Sequence, residues 1–290
     1  GHRVKRASWS TQDARWTVEA ERTLGEGGSE MVRFTCNFLF MCSGYYKYEE
    51  GYTPEFAGRE NFAGRIVHPQ KWTDDIDYAG KRVVVIGSGA TAVTLVPEMA
   101  KTASHVTMLQ RSPTYVVARP AEDALANKLR RNLSAKLAYH LIRWRNVLFG
   151  IYFFQLSRRK PERVKQLILG GVRMALGPDY DIATHFTPRY KPWEQRLCLI
   201  PDGDLFRAIR SKRVTVVTDT IERFTPGGIL LTSGTELPAD LIVTATGLTL
   251  ELMGGIAFTI DGAPVDWPAR LNYKGAMVSG VPNFASVFGY

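Results

Sequence analysis

An α/β fold organised by a parallel sheet is predicted, and three observations predict it. Arg82-Val83-Val84-Val85-Ile86 is a short, continuous apolar run of the kind that a strand covered on both faces requires. It runs directly into Gly87-Ser88-Gly89-Ala90-Thr91-Ala92 and a helix start, and a second strand, His105-Val106-Thr107-Met108-Leu109, follows at the spacing of a βαβ unit. A β-meander precedes this unit and a helical insertion follows it, so the chain reads as a Rossmann-like domain with added β-structure.

Within the glycine turn each residue type has a physical task. Gly87 permits the tight turn, Gly89 lets backbone approach a pyrophosphate, and Ala92 is small enough for close packing of helix on strand. Ser88, Ala90 and Thr91 complete the turn, and the open amides of the helix N-terminus face the phosphates. Pro97 lacks an N–H, which predicts a kink late in that helix.

The end of the second strand meets the adenosine ribose about 20 residues beyond the glycines. A site for the unphosphorylated cofactor places Asp or Glu there. This chain instead has Gln110-Arg111-Ser112, and the Arg111 guanidinium suits a 2′-phosphate, so NADPH is the cofactor read from these residues. The competing reading is a solvated surface arginine.

In chain order, Val4 to Trp9, Arg15 to Ala20 and Met31 to Asn37 form the meander, with a Gly-Glu-Gly-Gly turn at 25–28. A more apolar strand, Phe38 to Cys42, ends in Ser43-Gly44. Gly/Pro-rich chain follows through Gly58, then a segment to Trp72. After the βαβ unit, residues 121–176 carry Ala, Leu, Lys and Arg at helical spacing, which predicts a helical insertion. Strands resume at Val214–Val217, Ile229–Leu231 and Leu241–Ala245, with Gly227-Gly228 marking a hairpin, and a last strand is expected from Phe284 to Phe288.

With 290 residues, 45% hydrophobic and 22% charged, the composition is that of an ordinary globular protein. The formal charge is +9, with basic residues gathered at Arg130-Arg131, Arg143, Arg145 and Arg158 to Lys165. No nucleic-acid motif accompanies them, so a solvated helical face that also attracts an anionic dinucleotide is the reading. Cys36, Cys42 and Cys198 cannot all pair and show no CxxC spacing, which argues against a disulfide framework or metal site and fits a reducing cytoplasm. The tract from Val147 to Leu156 is too short to span a bilayer. Its aromatics, with Tyr139 and Trp144, suit a pocket wall or buried helix, with peripheral membrane contact as the alternative.

Phe62-Ala63-Gly64-Arg65-Ile66-Val67-His68-Pro69-Gln70-Lys71-Trp72 has the form FxGxxxHxxxW just ahead of the nucleotide fold. On this motif the chain resembles the Baeyer–Villiger type of class B flavoprotein monooxygenase; the sister flavin-containing monooxygenases usually carry another aromatic at the Trp72 place. Asp240 to Gly247 resembles the family's ATG crossing segment, with Thr246 and Gly247 at the return to the flavin domain. Gln110-Arg111-Ser112-Pro113 resembles the 2′-phosphate segment. Trp193 to Cys198 resembles the stretch that carries the active-site arginine, here Arg196, although Gln195 stands where many relatives have Lys. With Pro201-Asp202-Gly203-Asp204, this region is most similar to the ethionamide-activating branch.

The resemblance implies FAD and NADPH as cofactors, O2 as co-substrate, and insertion of one oxygen atom into ketones, with oxygenation of sulfur compounds beside it. It implies Arg196 as the catalytic cation, Ser43 and Gly44 as flavin contacts, and Phe62, Gly64, His68 and Trp72 as packing or hinge residues. No metal is implied. It divides the chain into a partial FAD domain over 1–78, an NADPH domain over 79–245 with its insertion at about 121–195, and a return into the FAD domain over 246–290. The family's FAD-binding GxGxxG has no counterpart here, so an internal segment, flavin-free or poorly stable alone, is expected. The alternatives are an N- or S-oxygenating flavin monooxygenase and a catalytically inactive nucleotide-binding module. A flavin-dependent disulfide reductase would need a close cysteine pair that the sequence lacks. Substrate identity and oligomeric state are not readable.

Overall fold

A computed structural model describes residues 1–287, which fall into two compact units: Gly1–Glu50 with Leu248 onward, and Gly51–Gly247. The chain enters through β1 (His2–Ser10), β2 (Arg15–Thr23) and β3 (Ser29–Cys36), the expected antiparallel meander, then β4 (Leu39–Met41) and β5 (Tyr46–Gly51).

The second unit begins with β6 (Arg65–Val67), β7 (Arg82–Ile86), α1 (Ala90–Met99) and β8 (His105–Gln110). Next come β9 (Tyr115–Arg119), α2 (Ala124–Asn132), α3 (Ala135–Arg159), α4 (Pro161–Leu176), α5 (Ile182–Phe186) and β10 (Leu197–Pro201). The unit closes with α6 (Asp204–Arg210), β11 (Val214–Thr218), the hairpin β12 (Ile221–Thr225) and β13 (Gly228–Leu231), β14 (Glu236–Pro238) and β15 (Leu241–Thr244).

Its main sheet has the order β11-β8-β7-β15-β6, every pair parallel. Both faces are covered, which is why Val83, Val84, Val85, Ile242 and Val243 are all essentially inaccessible and the strands read as unbroken apolar runs. One face packs on α1 and α6 through Ala92, Val93, Val96 and Leu205; the other packs on β12–β14 through Phe224, Ile229 and Leu231. Pro97 lies inside α1, whose last helical residue is Met99, so the helix stops within a turn of the proline.

Residues 51–78 join this unit because β6, inside the FxGxxxHxxxW motif, pairs with β15. The predicted helical insertion is present as α2–α5. It is bracketed by β9 and β10, a parallel two-stranded ladder. The span 124–176 holds twelve Lys and Arg against a single acidic residue, Glu162. No helix among the described residues is long and apolar enough to cross a membrane.

The first unit is completed by β16 (Leu248–Leu250), β17 (Ala257–Ile260), β18 (Ala263–Pro264), β19 (Asn272–Tyr273), β20 (Met277–Val278) and β21 (Phe284–Ser286). Phe288, the expected end of the last strand, lies outside the described residues. β17 adds in parallel to β1, extending the meander to the order β18-β17-β1-β2-β3. Trp16, fully buried, sits among Trp9, Phe258 and Phe284 and donates from Nε1 to the carbonyls of Pro282 and Asn283.

Candidate functional site

The glycine turn between β7 and α1 is built as close backbone approach demands. Gly87 has φ +132°, and a Cβ there would stand 2.3 Å from the Ala245 carbonyl oxygen, so any other residue would push β7 off β15. Ser88 is buried; its Oγ donates to the Ser112 carbonyl at 3.3 Å and shares a 3.0 Å hydrogen bond with Thr114 Oγ1, tying the turn to the end of β8. Ala92 is fully buried against the sheet. Gly89 is the N-cap of α1, and no side chain caps the first amides. Those N–H groups, with the positive end of the helix dipole, are free to take an anion. Ala90 and Thr91 are exposed on the first turn.

Arg196 lies over this turn. A Cβ on Gly89 would come 3.0 Å from Arg196 Nη1, which places the guanidinium against the bare backbone of the turn. Its backbone is fixed by a two-tyrosine relay. The Tyr115 hydroxyl donates to the Tyr190 carbonyl and the Tyr190 hydroxyl donates to the Arg196 carbonyl, each at 2.8 Å. Burial pushes the Tyr115 phenol up to about 12 and raises that of Tyr190, so both remain donors throughout the physiological range. Sequence reasoning missed both tyrosines; only the placement of Tyr115 at the head of a β-branched run hinted at a strand.

Arg111 follows directly on β8, exposed. Among the described residues neither Arg111 nor Arg196 pairs with a carboxylate, which leaves two cations unneutralised, one over the turn and one at the strand end. Gln110 has a different place from that expected: it is buried, and its amide donates to the His185 carbonyl and to Thr218 Oγ1, both at 2.8 Å. Its side chain stitches β8 to β11 and α5. Cys198, on the neighbouring β10, places Sγ 4.0 Å from the Ser88 carbonyl, and burial raises its thiol above the ordinary range.

The FxGxxxHxxxW motif forms the sheet's edge and its junction. Phe62 enters the core with Val84, Ile86 and Phe224, and a Cβ on Gly64 would strike the Asp240 carbonyl at 2.5 Å. Trp72 packs edge-on against Tyr78, ring centroids 5.9 Å apart. His68 uses both ring nitrogens: Nδ1 accepts from the Gln70 amide at 3.2 Å, so Nε2 carries the proton and donates to the Gly247 carbonyl at 3.0 Å. Tyr52 N also donates to Gly247 O (3.1 Å), and Thr246 Oγ1 donates to Tyr52 O (2.6 Å). His68, Thr246 and Gly247 therefore clasp the first and last residues of the second unit. In the first unit Ser43 and Gly44 follow β4; Gly44 has φ +70°, and Ser43 lies against Gly254.

An open helix N-terminus, a glycine forced at position 87 and two guanidiniums without a carboxylate partner among the described residues suit a dinucleotide carrying an extra phosphate. The groups that would hold it are the α1 amides, Arg196 and Arg111.

This is the fold of the Baeyer–Villiger monooxygenases. An oxidised steroid monooxygenase bound to NADP superposes with a TM-score of 0.73 at 23% identity, over 99% of this chain and 61% of that one. An open cyclohexanone monooxygenase superposes with a TM-score of 0.72 at 19% identity, over 99% and 63%. Residues 2–145 match the family model for flavin-binding monooxygenase-like proteins. FAD-containing monooxygenase EthA of Mycobacterium tuberculosis (strain ATCC 25618 / H37Rv) is 54% identical over all 290 residues, and the probable FAD-binding monooxygenase AlmA of Acinetobacter baylyi is 47% identical. The chain is thus similar in sequence to FAD-containing monooxygenases, and it spans 58% of the length of EthA and 57% of that of AlmA.

Proposed function

We propose that this chain is the NADPH-binding segment, with adjoining flavin-domain strands, of an FAD- and NADPH-dependent monooxygenase that inserts one oxygen atom from O2 into ketones and oxygenates sulfur compounds. The observation that carries the reading is the unpaired Arg196 guanidinium resting on Gly89 at the open end of α1. Bound flavin would supply the activation of oxygen, and NADPH its reducing equivalents. The residues of this chain bind and orient: the α1 amides take the pyrophosphate, Arg111 takes the 2′-phosphate, and Arg196 offers a permanent positive charge to whatever anion develops beside it.

His68 serves as the clasp between residues 51–52 and 247 and not as a base, because both its nitrogens are already committed within the backbone. The outward Trp144, Leu148, Ile151 and Tyr152 of α3, set in the basic insertion, are what a peripheral contact with an anionic lipid surface would use.

The test is product analysis with the flavin-loaded full-length protein and NADPH. A ketone converted to its ester or lactone supports the reading. Heteroatom oxides alone move it to the sister N- and S-oxygenating enzymes, and turnover with NADH equal to that with NADPH overturns the cofactor assignment.

A further inference from the structure

The helical insertion holds a large cavity on the far side of the β9–β10 ladder from the glycine turn. It lies between α3, α4 and the β9–β10 ladder, has a volume of about 1070 Å³, and its walls are apolar, with Phe149 and Phe153 facing Ile168, Val117, Leu197 and Leu199. Cavities of this size and lining are ordinary ligand sites.

Two features show that the space is built. Gly150 on α3 and Gly170 and Gly171 on α4 line it, and a Cβ at any of them would meet nothing within 4 Å. Glycine inside a helix costs about 1 kcal/mol relative to Ala, and here no neighbouring atom of the chain demands it. What the glycines preserve is the volume. Trp193, also on the wall, is held at φ +70°, a conformation a bulky residue adopts only under constraint.

The polar end has one sign. Asp123 is neutralised by Arg145 and by the Ala126 amide. Arg119, stacked 5.1 Å over the Phe149 ring, has no carboxylate partner among the described residues. The ladder also separates this space from the glycine turn: Leu197 and Leu199 face the cavity, whereas Cys198 and Ile200 point to the opposite side, where Cys198 meets Ser88.

We infer that this cavity binds a long-chain carboxylate, its apolar tail between Phe149, Phe153 and Ile168 and its head on Arg119, at a site separate from the nucleotide turn. The inference does not depend on flavin or NADPH binding, so it stands or falls apart from the proposed reaction.

The experiment titrates the full-length protein with dodecanoate below its critical micelle concentration, reading tryptophan fluorescence, with Trp193→Phe identifying the reporting residue. Dodecanol and phosphatidylglycerol vesicles form the comparison arms. The expected result is saturable dodecanoate binding that Gly171→Leu weakens at least about tenfold while its circular-dichroism melt is unchanged or raised, since a leucine fills open space on a helix. Arg119→Gln should bring dodecanoate down about tenfold, to the level of dodecanol. NADP+ should leave the titration unmoved. Absence of saturable binding, indifference to Gly171→Leu, equal binding of dodecanoate and dodecanol by the unsubstituted protein, or displacement by NADP+ would each overturn it. Vesicle binding without dodecanoate binding would do the same, since it reports a surface contact.

Discussion

The imidazole of His68 lies so close to Gly51 that a Cβ on the glycine would fall 1.9 Å from His68 Cε1. The ring needs that bare backbone in order to reach the Gly247 carbonyl. Gly51→Ala should therefore rotate the ring away and break the Nε2 hydrogen bond, lowering stability by about 1–3 kcal/mol. Urea unfolding measures the loss, and nitrogen NMR of His68 should show its fixed protonated-Nε2 form replaced by a tautomer mixture. An unaltered tautomer in the alanine variant would show that the clasp does not depend on the glycine.

Arg111 directly follows β8 and has no carboxylate partner among the described residues. Arg111→Ala should weaken NADP+ by about tenfold to a hundredfold, the worth of a charge-assisted contact, and leave NAD+ within about twofold. Calorimetric titration of both nucleotides decides it, and equal weakening would place the guanidinium away from the 2′-phosphate.

Tyr190 reaches Arg196 only through its backbone carbonyl, so the two side chains can be tested apart. In the full-length enzyme Arg196→Ala should cost about two to three orders of magnitude in turnover at saturating NADPH. Tyr190→Phe removes only the 2.8 Å bond to the Arg196 carbonyl and should cost about tenfold or less. If the arginine variant retains its full rate, Arg196 is a structural group.

Asp240 accepts from the Arg82 amide at 2.8 Å and from its guanidinium at 2.6 and 3.1 Å, and these bonds draw its carboxyl from 3.8 down to about 2. A depressed acid contributes stability that is present above its unfolded value and lost as pH falls from about 4 to about 2. Both partners are partly solvated, so the contribution is about 1 kcal/mol or less. Urea midpoints at pH 7 and pH 2.5 should differ less in Asp240→Asn than in the unsubstituted chain; an equal difference would remove Asp240 from the acid response.

The parallel core was legible because burial on both faces leaves an unbroken apolar run, and the turn at 87–92 because its backbone tolerates few side chains. The short strands β6, β9 and β10 were not. Arg65–Val67 is three residues long, and Tyr115–Arg119 finds its partner at Leu197–Pro201 only after the whole helical insertion, so no local pattern announced either pairing. Gln110 misled for a related reason. It ends the strand where a ligand-facing polar residue is expected, yet the contacts that bury it, His185 and Thr218, come from far downstream. The Arg196 position could be read from its motif, but not its resting place on Gly89, which exists only once β10 lies beside the turn.

The strand order has a consequence for biosynthesis. Among the described residues β6 pairs in the sheet with β15 alone, and β7 keeps one edge bare until β15 arrives. During translation the hydrophobic strand at 82–86 must wait for residue 241 to leave the ribosome before that edge is sealed. Parallel pairings this distant in sequence form slowly and leave an adhesive border in the meantime. Yield in a heterologous host should accordingly respond to chaperone supply and growth temperature more than to any substitution on the finished surface.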